Sequence, residues 1–183
     1  MLRYLLLLFC LLVFTGCQEP PDADRSAGTP KAFQTTQPSL LYFKNMRSSA
    51  YQQEELKPSR ITFYIHNRLQ KDQQQDSLGF LPCIASDWMN DRAFLVPRWT
   101  GRHLQPFEPL TAVYGPNDQT IQAEGRSPMQ QTQWLLAVHQ QHLNGQQVRI
   151  RVGDGQTYPL LPNQETQTYF ETIVRDYKRL TER

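Results

Sequence analysis

His139 and His142, in "HQQH", stand three positions apart. On a helix that spacing puts both imidazoles on one face, where they could reach one metal ion. A tetrahedral zinc site needs further protein ligands, and these would have to come from elsewhere in the chain. The simpler reading is one surface histidine and one at the margin of a core, so no metal or other cofactor is expected. His66 and His103 have no carboxylate at a recognisable spacing, and a hydrolase built on either would need a distant acid. Asp87 and Asp91 bracket "DWMND". A calcium loop wants more oxygen ligands at alternate positions, so turn chemistry explains them better. "VGDGQ" lies between two strand patterns and reads as a hairpin turn rather than a phosphate cradle. Neither a GxSxG elbow nor HExxH occurs. Binding is a better fit than catalysis. Trp88 stands at a hairpin tip beside Met89, and Trp99, Arg102 and His103 open a loop rich in residue types favoured at interface hot spots. These four, Trp88, Trp99, Arg102 and His103, are the candidate binding residues.

The elements that must position them read as α+β: a mainly antiparallel sheet of about six to eight strands, with two helices late in the chain. "LLYFKNMR" reads as a first strand. "RITFYIHN" alternates, with Ile61, Phe63 and Ile65 on one face and Thr62, Tyr64 and His66 on the other, the mark of a half-buried strand. "FLPCIAS" and "AFLVPRW" flank "DWMND" as a hairpin, and Pro82 and Pro97 point to sheet edges or bulges because proline has no N–H for a ladder. "LTAVYG" and "QTIQAEG" flank the turn "PND". Ser127, Pro128 and Gln130 form a helix start, with a capping side chain, proline in the first turn and capping-box spacing, and Asn144-Gly145 ends that helix. "VRIRVGDGQTYPLLP" reads as a hairpin with Val148, Ile150 and Val152 inward and Arg149 and Arg151 outward. In the last segment Tyr169, Phe170, Ile173, Val174, Tyr177 and Leu180 recur at helical spacing.

The N-terminus follows another logic. One positive charge, Arg3, precedes "YLLLLFCLLVF", an apolar run of signal-peptide length that is shorter than the roughly 20 residues needed to span a bilayer. Thr15, Gly16 and Cys17 follow. These residues resemble the lipobox of bacterial lipoproteins, with Phe14 where leucine is usual. The resemblance implies cleavage between Gly16 and Cys17, a diacylglyceryl group on the Cys17 sulfur and a fatty acyl chain on its nitrogen. Two or more chains hold a protein stably where one would not. Gln18 after the cysteine resembles the enteric pattern for outer-membrane delivery. "YFKNMRS" and "VRDYKRLT" resemble strings in uncharacterised lipoproteins of the Bacteroidota, a likeness that brings no activity with it.

The expected organisation is a signal peptide over 1–16, a tether over 17–38 and a single domain over 39–183. The tether is rich in proline and acid and poor in core-forming side chains. Lipidation of Cys17 leaves Cys83 as the one thiol outside the signal peptide, expected in the core of a strand. The chain of 183 residues carries 19 basic and 17 acidic side chains. Removing Arg3 with the signal peptide leaves the balance nearly neutral, which argues against an electrostatic grip on nucleic acid. The sequence therefore points to a protein held on the bacterial envelope by lipid, expected at the outer membrane. It would bind another envelope protein or an extracellular ligand. The alternatives are a lipid-anchored hydrolase and a metal-handling module.

Overall fold

A computed structural model describes residues 33–57, 59–71, 79–100, 109–152 and 155–181, all within the unit spanning 31–183. Residues 1–32, which hold the expected signal peptide, Cys17 and most of the expected tether, lie outside the described residues, as do Arg102 and His103. The class is α+β, with eight strands in two antiparallel sheets of four, ordered β1-β2-β3-β4 and β6-β5-β7-β8.

The described chain opens with Phe33, buried against Phe94 with ring centroids 5.7 Å apart. Folded structure thus starts ahead of the boundary drawn at Ser39. Thr36 then caps a helix, α1 (Gln37–Tyr42), whose capping box is closed by Ser39 and whose first turn holds Pro38. This helix widens into a π turn over Phe43–Arg47 and tightens over Ser48–Ala50. "LLYFKNMR" is therefore helical and not the expected strand. The local start signal outweighs an apolar run that leaves Leu41, Tyr42 and Met46 exposed.

The first sheet comprises β1 (Tyr51–Leu56), β2 (Ile61–His66), β3 (Gly79–Asp87) and β4 (Arg92–Thr100), with a short helix α2 (Asn67–Lys71) after β2. β2 is covered on both faces. Tyr64 and His66, read as solvent-facing, are buried because the rings of Phe43, Tyr51 and Tyr169 pack over them. On the other side Arg98 lies 5.6 Å from the Phe63 ring and pairs with Glu54 of β1 at 2.5 Å. Pro82 and Pro97 face each other on one rung, so that rung needs neither N–H. The pairing of β2 with β3 has already ended at Ile65–Cys83. Cys83 is buried and unpaired, and burial pushes its thiol up to about 12. β4 is an outer strand, and its free edge is partly covered. Gln34 bridges to Arg92, and the Leu95 N–H donates to the Thr132 hydroxyl at 2.9 Å.

The second sheet holds β5 (Thr111–Tyr114), β6 (Gln119–Gln122), β7 (Val148–Arg151) and β8 (Thr157–Pro159). Val148, Ile150 and Val152 are buried, as the alternation requires. Between β6 and β7 runs α3 (Pro128–Leu143), capped by Ser127 and Gln130. Gly145 at φ 75° donates to the His142 carbonyl at its C-terminal end, a left-handed position that glycine takes without strain. α3 ties the two sheets together. Thr132 bonds to β4, and the Trp134 indole N–H donates to the Ile121 carbonyl of β6 at 3.1 Å. The last helix, α4 (Gln164–Leu180), is capped by Asn163 and buries Phe170, Ile173, Val174, Tyr177 and Leu180 in the common core. No helix among the described residues is long and apolar enough to cross a membrane.

Candidate functional site

The three described histidines sit against other side chains. His139 is buried on α3 with its ring against Phe170, centroids 5.7 Å apart. Burial pushes its imidazole down to about 4, with Lys178 and His142 adding to the shift and Glu171 opposing it. His142 meets the Glu171 carboxylate at 2.9 Å. Among the described residues no three histidines, cysteines or acids gather as a metal site. His66 stacks on Tyr169 at 4.7 Å and meets Tyr51 edge-on, and its Nδ1 is buried without a hydrogen-bond partner among the described residues. Burial lowers its pKa, against the pull of Asp176.

A buried ionic cluster lies beside it that the sequence reading did not single out. The Asp176 carboxylate, 1% exposed, accepts from Arg47 Nε at 3.0 Å, from Arg47 Nη2 at 2.9 Å and from the Tyr51 hydroxyl at 2.7 Å. Burial and the Asp176 charge raise the pKa of Tyr51. The signal was present, because Asp176 falls within the apolar stripe of α4, where an acid requires a partner. The cluster works as a staple holding the segment after α1 on α4.

The two described candidate binding residues, Trp88 and Trp99, stand apart. Trp88 is exposed at the β3–β4 turn. Trp99 is half-buried seven residues along β4 from Arg92, its ring 5.3 Å from Phe80, which places it about 23 Å along the strand from the turn end. Arg102 and His103 lie outside the described residues.

Two grooves flank the His142–Glu171 pair. One, about 420 Å³, runs between α3 and α4. Its apolar part is Leu143 and Val174, and it is rimmed by Arg175, Lys178 and Arg179. Arg179 donates to the Tyr42 hydroxyl at 3.4 Å. The side chains of Arg175 and Lys178 make no ion pair or hydrogen bond with another described residue, and the acid in this lining, Glu171, is turned to His142. The other groove, about 320 Å³, is lined by His142 together with Gln146, Gln147 and Gln167. A carboxylate-oriented imidazole there has the form of a general base, but the described lining supplies no hydroxyl or thiol for it to activate. The first groove, cationic above an apolar floor, suits an acidic segment with an apolar side chain. Of the groups that build it, the sequence shows Arg175, Lys178 and Arg179 at the C-terminal end of α4, where positive charge also complements the helix dipole. Its pairing with α3 depends on tertiary packing. No family model, curated protein or solved structure matches the chain.

Proposed function

We propose that this chain is a lipid-anchored protein of the bacterial outer membrane, with a folded domain that binds an acidic segment of another envelope protein in the groove between α3 and α4. The anchor rests on Thr15, Gly16 and Cys17 after an apolar run of signal-peptide length. One observation carries the binding reading. Among the described residues the Arg175 and Lys178 side chains pair with no carboxylate, the acid in their groove, Glu171, being bonded to His142, an arrangement that leaves positive charge to be matched from outside.

The test is in-cell photo-cross-linking from Leu143, on the groove edge and exposed, with Thr120 on β6 as a remote control. The expected result is a discrete protein adduct from Leu143 but not from Thr120. Arg175→Glu with Lys178→Glu should weaken it about tenfold, which corresponds to about 1.4 kcal/mol. An adduct untouched by charge reversal, or none at all, would contradict the reading.

A further inference from the structure

Large exposed apolar side chains gather at one end of the first sheet. Leu56 pairs with Ile61, Ile61 with Asp87 and Asp87 with Arg92, so the end of β1 and the β3–β4 turn share one edge. Exposed there are Leu56 at 43%, Trp88 at 49% and Met89 at 54%. Arg60 Nη1 reaches the Met89 sulfur at 3.4 Å, joining the two turns. The fold does not require this apolar surface. The β3–β4 turn is closed by Asn90, whose backbone and side chain both bond to Asp87, and Trp88 has no ring or hydrogen-bond partner among the described residues.

The chain joins the fold at the same end. The Thr35 N–H donates to the Asp91 carbonyl at 2.7 Å, and Gln34 bridges to Arg92. Cys17 stands sixteen positions before Phe33, a covalent span of at most about 55 Å. An anchor at Cys17 therefore keeps this edge within reach of the bilayer, and any contact there is intramolecular, so a weak surface suffices.

We propose that this edge docks on the phospholipid bilayer that holds the anchor, with Trp88 at headgroup level and Met89 and Leu56 against the acyl boundary. The inference rests on the lipid-anchor reading. Indole suits that position because it has an apolar body and one N–H to leave wet. Charge contributes little, because Lys57, Arg60 and Arg92 share the edge with Asp87 and Asp91, so the contact is apolar and insensitive to salt.

The experiment uses the full lipidated chain in vesicles of phosphatidylethanolamine and phosphatidylglycerol, with and without brominated acyl chains. Flotation of the chain with the vesicles reports the anchor, and quenching of tryptophan emission reports docking. Trp134 is buried and Trp99 is packed on Phe80, so Trp88 is the tryptophan placed to be quenched. The expected result is quenching that persists in ~1 M salt and falls by more than half in Trp88→Phe. A chain that floats with its vesicles but shows no quenching, or equal quenching in Trp88→Phe, overturns the docking and leaves the anchor standing. So does cross-linking of the Trp88 turn to a protein instead of lipid. A chain that does not float removes the anchor, and the docking with it.

Discussion

The Tyr51 hydroxyl donates to the Asp176 carboxylate at 2.7 Å across 125 positions of sequence, inside a core that Arg47 enters from the other side. This contact joins the start of β1 to the last helix. Removing one partner of such a buried group costs more than the bond itself, because the remainder stays desolvated. Asp176→Asn should lower the unfolding free energy by about 2–4 kcal/mol and Tyr51→Phe by about 1–2 kcal/mol. The double variant should fall short of the sum by about 1 kcal/mol. Urea denaturation of the four proteins measures this, and strict additivity would mean that the two groups are not coupled.

Thr132 is fully buried and serves two elements. Its hydroxyl accepts from the Leu95 N–H at 2.9 Å and lies 2.8 Å from the Pro128 carbonyl and 3.0 Å from that of Leu95. It supplies a partner to an outer strand that has no neighbouring strand on that side among the described residues. Thr132→Val keeps the shape and strands a buried N–H, at a cost of about 1–3 kcal/mol, whereas Thr132→Ser should recover most of the loss. Thermal unfolding of both variants checks it. A loss in Thr132→Ser with Thr132→Val unaffected would show that packing of the methyl group, and not the hydrogen bond, is what matters.

Acid should destabilise the domain partly through His139. In the folded state its imidazole stays neutral down to about pH 4, whereas in the unfolded chain it takes a proton near its ordinary value of about 6.5. Below about 6.5 the unfolded state therefore binds more protons, and stability falls as pH falls until the folded value is passed. His66, lowered for the same reason, acts in the same direction. His139→Leu should flatten the fall between about pH 7 and pH 4 relative to the parent chain. Urea midpoints across that range decide it, and unchanged slopes would remove His139 as a cause.

Elements governed by local chemistry were legible in the sequence. Ser127, Pro128 and Gln130 start α3 and Gly145 ends it as their types dictate. The apolar stripe of α4 is buried as its period requires. Elements whose environment is set by distant chain were harder to read. β1, "YQQEEL", buries Tyr51 and leaves most of its other side chains exposed, so no alternation marks it as a strand. Tyr64 and His66 look polar-facing until Phe43 and Tyr169 arrive to cover them. α1 announces itself by Thr36, Pro38 and Ser39, but its exposed Leu41 and Met46 blur any amphipathic pattern. The groove has the same history. Arg175 and Lys178 stand out as a basic helix end, but their facing apolar wall at Leu143 comes from α3.

The measurement that bears most directly on the proposed anchor is the intact mass of the chain extracted from cell membranes, set beside that of Cys17→Ala. The expected product begins at Cys17 and is heavier than residues 17–183 by a diacylglyceryl group and an acyl chain, while Cys17→Ala keeps its first sixteen residues and carries no lipid. An unmodified Cys17, or a Cys17→Ala chain processed and membrane-bound like its parent, would contradict the lipid anchor.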